Sequence, residues 1–254
     1  MEETTIRECT TIEEFDRCVA LQREAFGLPD LEISPRRHLI VSHQAGGWTL
    51  GAFVADRMVG FVHHLAAVRG NEIFGYSHVM GVAKDYQNKG VGARLKWAQR
   101  ERALREGRKL IKWTWAPMMA RNAHFNLNRL GATVETYLDN FYGVDYGAGE
   151  DDRPGLPTDR LSATWNIDSE RVHALAKSAE APFHGKRLGT IEIPADWSAL
   201  VKRDAQRARE EQARVREEFQ RAFANKLICA GFERGEESSR YVLFERTLST
   251  DNTD

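Results

Sequence analysis

The period of the apolar positions changes repeatedly along this chain. Phe15, Cys18, Val19, Leu21 and Phe26 recur at helical spacing. Thr10 or Thr11 can cap that helix, with Glu13 and Glu14 in its first turn and Gly27, Pro29 and Asp30 closing it. Ile6 opens a short strand ahead of it, and a second, short helix is predicted over residues 35–42. The pattern then turns β-rich in three consecutive runs, Trp48 to Ala55, Met58 to Val68 and Ile73 to Val82, with Asp56-Arg57 as a tight hairpin connection. A helix from about Gly90 to Gly107 follows, then a strand over residues 110–115 and a helix over residues 122–129 closed by Leu130-Gly131. Strands over residues 133–142 and 160–167 complete the series. The order βα(α)βββαβαββ describes a mixed α/β (α+β) sheet. The crossover helix after residue 90 should join parallel neighbours, and the hairpins before it should be antiparallel.

Beyond residue 167 the pattern predicts a strand over residues 190–193 and one long helix from Pro194 and Asp196 to about residue 226. A turn at Gly231-Phe232 and a final strand from Tyr241 to Phe244 follow. The long helix is dense in Arg and Glu, with intermittent apolar contacts from Leu200, Ala208, Val215, Phe219, Phe223 and Leu227. It reads as a solvated helix with one packed face. Its apolar repeat is too irregular to favour a coiled coil, so a homodimer is left open. The stretch Gly147 to Gly155 is acidic and turn-rich and reads as an exposed loop or flap.

At 254 residues the chain is long enough to bury a core unaided, as one large domain or two small ones. A net charge of -1 does not mark a nucleic-acid binder. Cys9, Cys18 and Cys229 are odd in number and fit no zinc spacing, so reduced thiols and a cytoplasmic location are expected. No stretch resembles a signal peptide or a membrane span.

The stretch Tyr86-Gln-Asn-Lys-Gly-Val-Gly-Ala93 stands between an apolar strand and a basic helix. A strand, a glycine-rich turn and a helix start present free N–H groups and a positive dipole end to an anion. The spacing is Gln-x-x-Gly-x-Gly/Ala, neither the longer dinucleotide fingerprint nor a P-loop. Here the chain resembles the GNAT superfamily of acyl-CoA-dependent N-acyltransferases, in which this loop holds the pyrophosphate of coenzyme A. Further stretches sharpen the resemblance: Tyr76-Ser-His-Val-Met-Gly-Val82, Arg121 to Ala132, Asn140-Phe-Tyr-Gly143, Leu156 to Leu161 and Ile193-Pro-Ala-Asp-Trp197. Together they look like a branch of bacterial acyltransferases that occur with N-succinylamino-acid racemases and act as N-succinyltransferases on amino acids.

The resemblance implies a GNAT domain over residues 1–167. Residues 168–254 would be a strand–helix–strand extension that completes the sheet or makes a small second lobe. It implies acetyl-CoA or succinyl-CoA as cosubstrate, no metal, and a small amine or amino acid attacking directly in a ternary complex. Cofactor contacts are expected at Met80, Gly81 and Val82, at Gln87, Asn88, Lys89, Gly90, Val91, Gly92 and Ala93, and at Asn122, which also reads as a helix N-cap. His78 stands where many relatives place a glutamate and is the leading base, since a neutral imidazole can accept an amine proton. A buried histidine hydrogen-bonded within its strand is the competing reading. His63 and His64 should point to opposite faces of their strand.

Leu127 occupies the position of the usual acidic tyrosine, which leaves His124 and Tyr142 as substitutes. Each reads equally as a packing residue with a polar tip, and a thiolate can also leave unaided, free thiols having a pKa of about 8.5. Arg160 and Arg121 are candidates to grip an acceptor carboxylate. No residue stands out as the second cation that a succinyl donor would need. Trp113 and Trp115 share one strand face and read as core. A protein N-acetyltransferase and a non-catalytic acyl-CoA-binding module are the alternative readings.

Overall fold

The computed structural model describes residues 3–144 and 155–246. Residues 147–154 of the expected acidic loop lie outside that range. The chain divides into two compact units, the described residues up to Trp113 forming the first and those from Thr114 onward the second.

The first unit runs β1 (Thr4–Glu8), α1 (Ile12–Phe26), α2 (Arg36–Gln44), β2 (Trp48–Val54), β3 (Arg57–Arg69), β4 (Glu72–Val82), α3 (Val91–Arg105) and the start of β5 (Leu110–Trp115). β1 to β4 pair in sequence order, all antiparallel. β4 pairs parallel with β5, as the crossover through α3 requires. Thr11 caps α1 in a reciprocal capping box with Glu14, and Gly27 ends it in the left-handed conformation. Phe15, Cys18 and Leu21 of α1 and Leu39 of α2 pack with Phe53, Met58 and Phe61 into one buried cluster. α3 supplies buried Val91 and Leu95.

The parallel pairing between β4 and β5 is short. Its register holds Gly75 opposite Ile111 and Tyr76 opposite Lys112. β4 continues to Val82, so its second half runs on past that pairing.

The second unit contains α4 (Ala120–His124), a π-helical turn (Phe125–Arg129), β6 (Thr133–Leu138), β7 (Arg160–Asn166) and α5 (Glu170–Ala176). It continues through β8 (Arg187–Pro194), α6 (Trp197–Arg203), α7 (Ala205–Ala224), β9 (Leu227–Glu233) and β10 (Ser238–Glu245). Its strands lie in the order β7-β6-β9-β10-β8, each pair antiparallel. The extension thus continues the sheet of β6 and β7 through β9. Side chains add to the joint. Asn128 donates to the Phe232 carbonyl at 2.8 Å and accepts from its N–H at 2.9 Å. Arg216 of α7 grips the buried Asp159 through both carboxylate oxygens at 3.0 Å. The Tyr241 hydroxyl donates to the Pro117 carbonyl at 2.7 Å.

Several sequence expectations are corrected here. The expected single long helix is two, α6 and α7, because Asp204 leaves the helical conformation and its carboxylate caps Arg207 N. Gly231 lies inside a strand rather than in a turn. β9 and β10 shift register between Val242 and Leu243, so Gly231 flanks a bulge. The helix α5, capped by Ser169, was not anticipated. β6 ends at Leu138, so Tyr142 stands in the following turn and not in a strand.

Candidate functional site

The entry to α3 is built to leave backbone donors free. After Val82 the chain passes through a 3-10 turn, Lys84–Tyr86, and reaches Asn88 and Gly90 with φ of 62° and 81°. Gly90 is the N-cap, and its left-handed backbone suits glycine. No side chain caps the helix. The first backbone bond to close is Arg94 N–H to the Gly90 carbonyl, at 3.0 Å. The N–H groups of Val91, Gly92 and Ala93 precede it and have no carbonyl four residues back within the helix. Asn88, Lys89 and Gly90 are exposed. The Gln87 side chain turns inward and donates to the Val82 carbonyl at 3.1 Å, bracing the loop. A diphosphate fits this arrangement of exposed glycine backbone, helix dipole and Lys89.

His78 lies on the part of β4 that runs beyond its pairing with β5. Across β3, His63 faces Val79 and His64 faces Ser77, so His78 is an extra residue in β4 with no direct opposite. Such a bulge breaks the strand's alternation and re-aims the side chain. The His78 ring reaches the loop between α1 and α2, where its Nε2 lies 2.8 Å from Ser34 Oγ. The backbone of Ser34 is held in turn by Gln22, which is buried. Gln22 Oε1 accepts from Ser34 N–H at 2.9 Å, and its Nε2 donates to the Ser34 carbonyl at 3.1 Å. His38 of α2 stands with its ring 5.1 Å from that of His78. The His38 Nε2 is buried without a hydrogen-bond partner. Surrounding protein and then the neighbouring His38 push the His78 imidazole down to about 4, although the residue is exposed at the protein surface, which weakens that push. At neutral pH it is therefore an uncharged proton acceptor.

His63 and His64 point to opposite faces, as alternation requires. His63 is bonded through Nδ1 to Thr49 Oγ1 at 2.8 Å and through Nε2 to Ser42 Oγ at 2.9 Å, with its ring 6.0 Å from His78. His64 stacks on Trp48 at 4.0 Å and accepts from Gln99 Nε2 at 3.2 Å. Burial pushes both imidazoles down to about 3. Gly75 exists in this form because of His64: a Cβ there would lie 2.0 Å from the ring's Cε1. No group of three metal-ligating side chains occurs among the described residues.

On the α3 side of β4 lies a buried lysine that the sequence did not single out. Lys96 Nζ donates to Ser77 Oγ at 2.7 Å and to Gln99 Oε1 at 3.0 Å, and sits 4.0 Å from the centre of the Trp113 ring. None of these partners is a carboxylate. Burial lowers its amine to about 7. Ser77 and Trp113 immediately follow Tyr76 and Lys112, the last pair of the β4–β5 register, so this amine marks the point where that pairing stops.

The second unit holds the remaining expected residues. Asn122 is exposed and is the third residue of α4, whose N-cap is Met119, so the expected N-cap role is not realised. Leu127 is fully buried within the π-helical turn and serves the core. His124 is half-buried, and burial followed by Arg234 and Arg129 lowers its pKa. Tyr142 is exposed, with the Arg160 guanidinium 5.1 Å from its ring centre. Arg160 Nη1 also donates to the Asp159 carbonyl at 3.3 Å. Arg121 is exposed on α4. Trp113 of the first unit and Trp115 of the second are both buried.

Ser34, Gln22, His38 and Lys96 escaped the sequence reading. Gln22 follows Leu21 and lies one turn after Cys18, a polar residue on an apolar face, which is a usable signal. Lys96 and Gln99 likewise occupy buried helix positions. Ser34 carries no signal beyond preceding Pro35.

No family model and no curated protein matches the sequence. Solved structures match its fold. One described as a GNAT-family acetyltransferase, from Desulfovibrio desulfuricans, superposes with a TM-score of 0.54 at 17% identity, covering 65% of this chain and 99% of that one. The fold is that of the GNAT acetyltransferases. The ribosomal-protein-S18-alanine N-acetyltransferase of Escherichia coli gives a TM-score of 0.53 at 14% identity, covering 66% of this chain and 96% of its own. A GNAT family acetyltransferase from Elizabethkingia anophelis, crystallised with acetyl-CoA bound, gives 0.50 at 18% identity, over 65% and 99% of the two chains. These neighbours are covered almost entirely, so this chain adds a substantial segment to the GNAT fold they share. No described helix is long and apolar enough to cross a membrane.

Proposed function

We propose that this protein is an acyl-CoA-dependent N-acyltransferase acting on the amine of a small acceptor. The uncapped start of α3, reached through the exposed turn at Asn88 and Gly90, carries this reading. It offers a phosphate site directly after the strand that bears the candidate base. Backbone groups of Met80, Gly81 and Val82 would hold the pantetheine arm and polarise the thioester carbonyl. His78 takes the proton from the acceptor amine, whose lone pair attacks the carbonyl carbon, and the thiolate leaves. Arg160 and Arg121 would serve an amino-acid acceptor by gripping its carboxylate.

Free-thiol release from acetyl-CoA and succinyl-CoA, tested against D- and L-amino acids and simple amines, checks the reading. Release should require both donor and acceptor. Absence of release in protein that binds CoA would sink it in favour of a non-catalytic module or a protein acceptor.

Lys96 favours a more specific second reading, in which the acyl group ends in a carboxylate, as a succinyl group does. Burial has lowered this amine to about 7, and a carboxylate at the end of a bound acyl group would supply the counter-charge that keeps it protonated. Replacing Lys96 with Met should erase a preference for succinyl-CoA over acetyl-CoA. An unchanged donor ratio would remove Lys96 from donor selection.

A further inference from the structure

We infer that Ser34 is a proton relay between the acceptor amine and His78. The inference rests on the transferase reading and adds to it a residue from outside β4.

The serine is presented with unusual care for a loop residue. Both backbone groups of Ser34 are occupied by the amide of Gln22, a side chain only 1% exposed. A buried glutamine spent wholly on main-chain atoms fixes the position of the segment between α1 and α2. That segment presents the Ser34 hydroxyl to β4, 2.8 Å from His78 Nε2. On the β4 side, the bulge is what brings His78 out of alternation to meet it. Two independent features, the β4 bulge and the Gln22 clamp, therefore converge on a single Ser–His contact.

The chemistry follows from the donors and acceptors present. The neutral His78 ring offers one acceptor nitrogen and one N–H. With the Ser34 hydroxyl donating to Nε2, the ring proton resides on Nδ1, and the oxygen of Ser34 keeps its lone pairs for an incoming N–H. In the transfer step the amine gives a proton to Ser34 Oγ while the Ser34 hydroxyl proton passes to His78 Nε2. The electron pair freed on nitrogen forms the new bond to the thioester carbon, and the carbon–sulfur bond breaks to release the thiolate. The imidazolium then returns its proton to the thiolate or to water. Ser34 ends as it began, and no acyl-enzyme forms.

The test combines kinetics with a direct view of the ring. In protein carrying 15N-labelled histidine, the His78 signals should report the Nδ1–H tautomer. Ser34→Ala should convert them to the Nε2–H form, which free imidazole side chains favour. The same variant should lose about tenfold in kcat with KM for acyl-CoA unchanged, the loss of one hydrogen bond in the transition state. Ser34→Thr should restore both. A working transferase whose rate and His78 signals ignore Ser34→Ala overturns the relay alone. Acyl transfer onto the Ser34 peptide, read by mass spectrometry, overturns it in favour of a serine nucleophile. A chain that releases no thiol at all, yet whose His78 signals still respond to Ser34, sinks the transferase reading and the relay with it.

Discussion

His78 tests how far a single side chain can be read from its surroundings. Its lowered pKa keeps it neutral well below the usual histidine range, so the acid limb of kcat/KM should fall below pH 5 rather than near 6.5. A limb at 6.5 would show a different group taking the proton. His78→Ala should lower kcat by about a hundredfold or more while acyl-CoA affinity holds. His63 and His64 make a second prediction, about stability. Each is pushed down to about 3 in the folded chain, so between that value and 6.5 the unfolded chain binds protons that the folded one refuses. Stability is therefore full above pH 6.5 and falls as pH drops, by about 1.4 kcal/mol per pH unit for each group. Urea midpoints at pH 7.5 and pH 5 measure that slope. Gly75→Ala would drive a methyl into His64 and should cost about 1–3 kcal/mol, read from the same titrations.

Among elements, α3 makes the sharpest prediction because stability and function should move in opposite directions. Gly92 lies in the first turn, where an added Cβ would make only ordinary contact, 3.6 Å from Met80 Cε. Gly92→Asp removes a helix-weakening glycine and places a negative charge at the positive end of the dipole, which should hold or raise the melting temperature. The same charge repels a phosphate, so acyl-CoA affinity measured by calorimetry should drop at least about tenfold. Unaltered affinity would mean that the phosphates bind elsewhere. Elements of this kind were legible in the chain because their signals are local: Thr11 and Glu14 at a helix start, Gly90 before a basic helix, Val and Ile runs in the strands. α6 and α7 read as one helix for the opposite reason. The Arg and Glu periodicity runs smoothly across Asp204, and only the backbone shows that this aspartate starts a new helix. The strand β9 was obscured by Gly231, whose role at a bulge depends on its partner Val242.

For the molecule as a whole, the segment after residue 167 is part of the second unit's sheet. β6 has β7 on one side and β9 on the other, so a chain ending at residue 167 leaves that edge bare. Such a truncation should be insoluble or unfolded by circular dichroism. A gentler probe is Arg216→Ala, which removes the counter-charge of the buried Asp159, leaving it the Tyr137 hydroxyl and the Asn140 N–H, and should cost about 2–3 kcal/mol in chemical denaturation. The candidate site was half legible on the same logic. The candidate phosphate loop and His78 lie in contiguous motifs, and a linear reading finds them. Ser34 and His78 are 44 positions apart and meet only through packing, and Lys96 acquires its character from Ser77 and Trp113 on two strands. Spacing along a chain carries no trace of such meetings.

The bulge at His78 also has a bearing on motion. Strands ordinarily open from their ends, and the amides of a middle strand exchange last. β4 is interrupted near its centre on the β3 side, and on the other side its register with β5 stops at Tyr76. Hydrogen–deuterium exchange should therefore find a fast patch at residues 77–79, between slower neighbours on both sides. If the donor's arm lies along this stretch, its binding should slow that patch and leave the ends of the strand unchanged. The strand would then act as a splint completed by its own ligand.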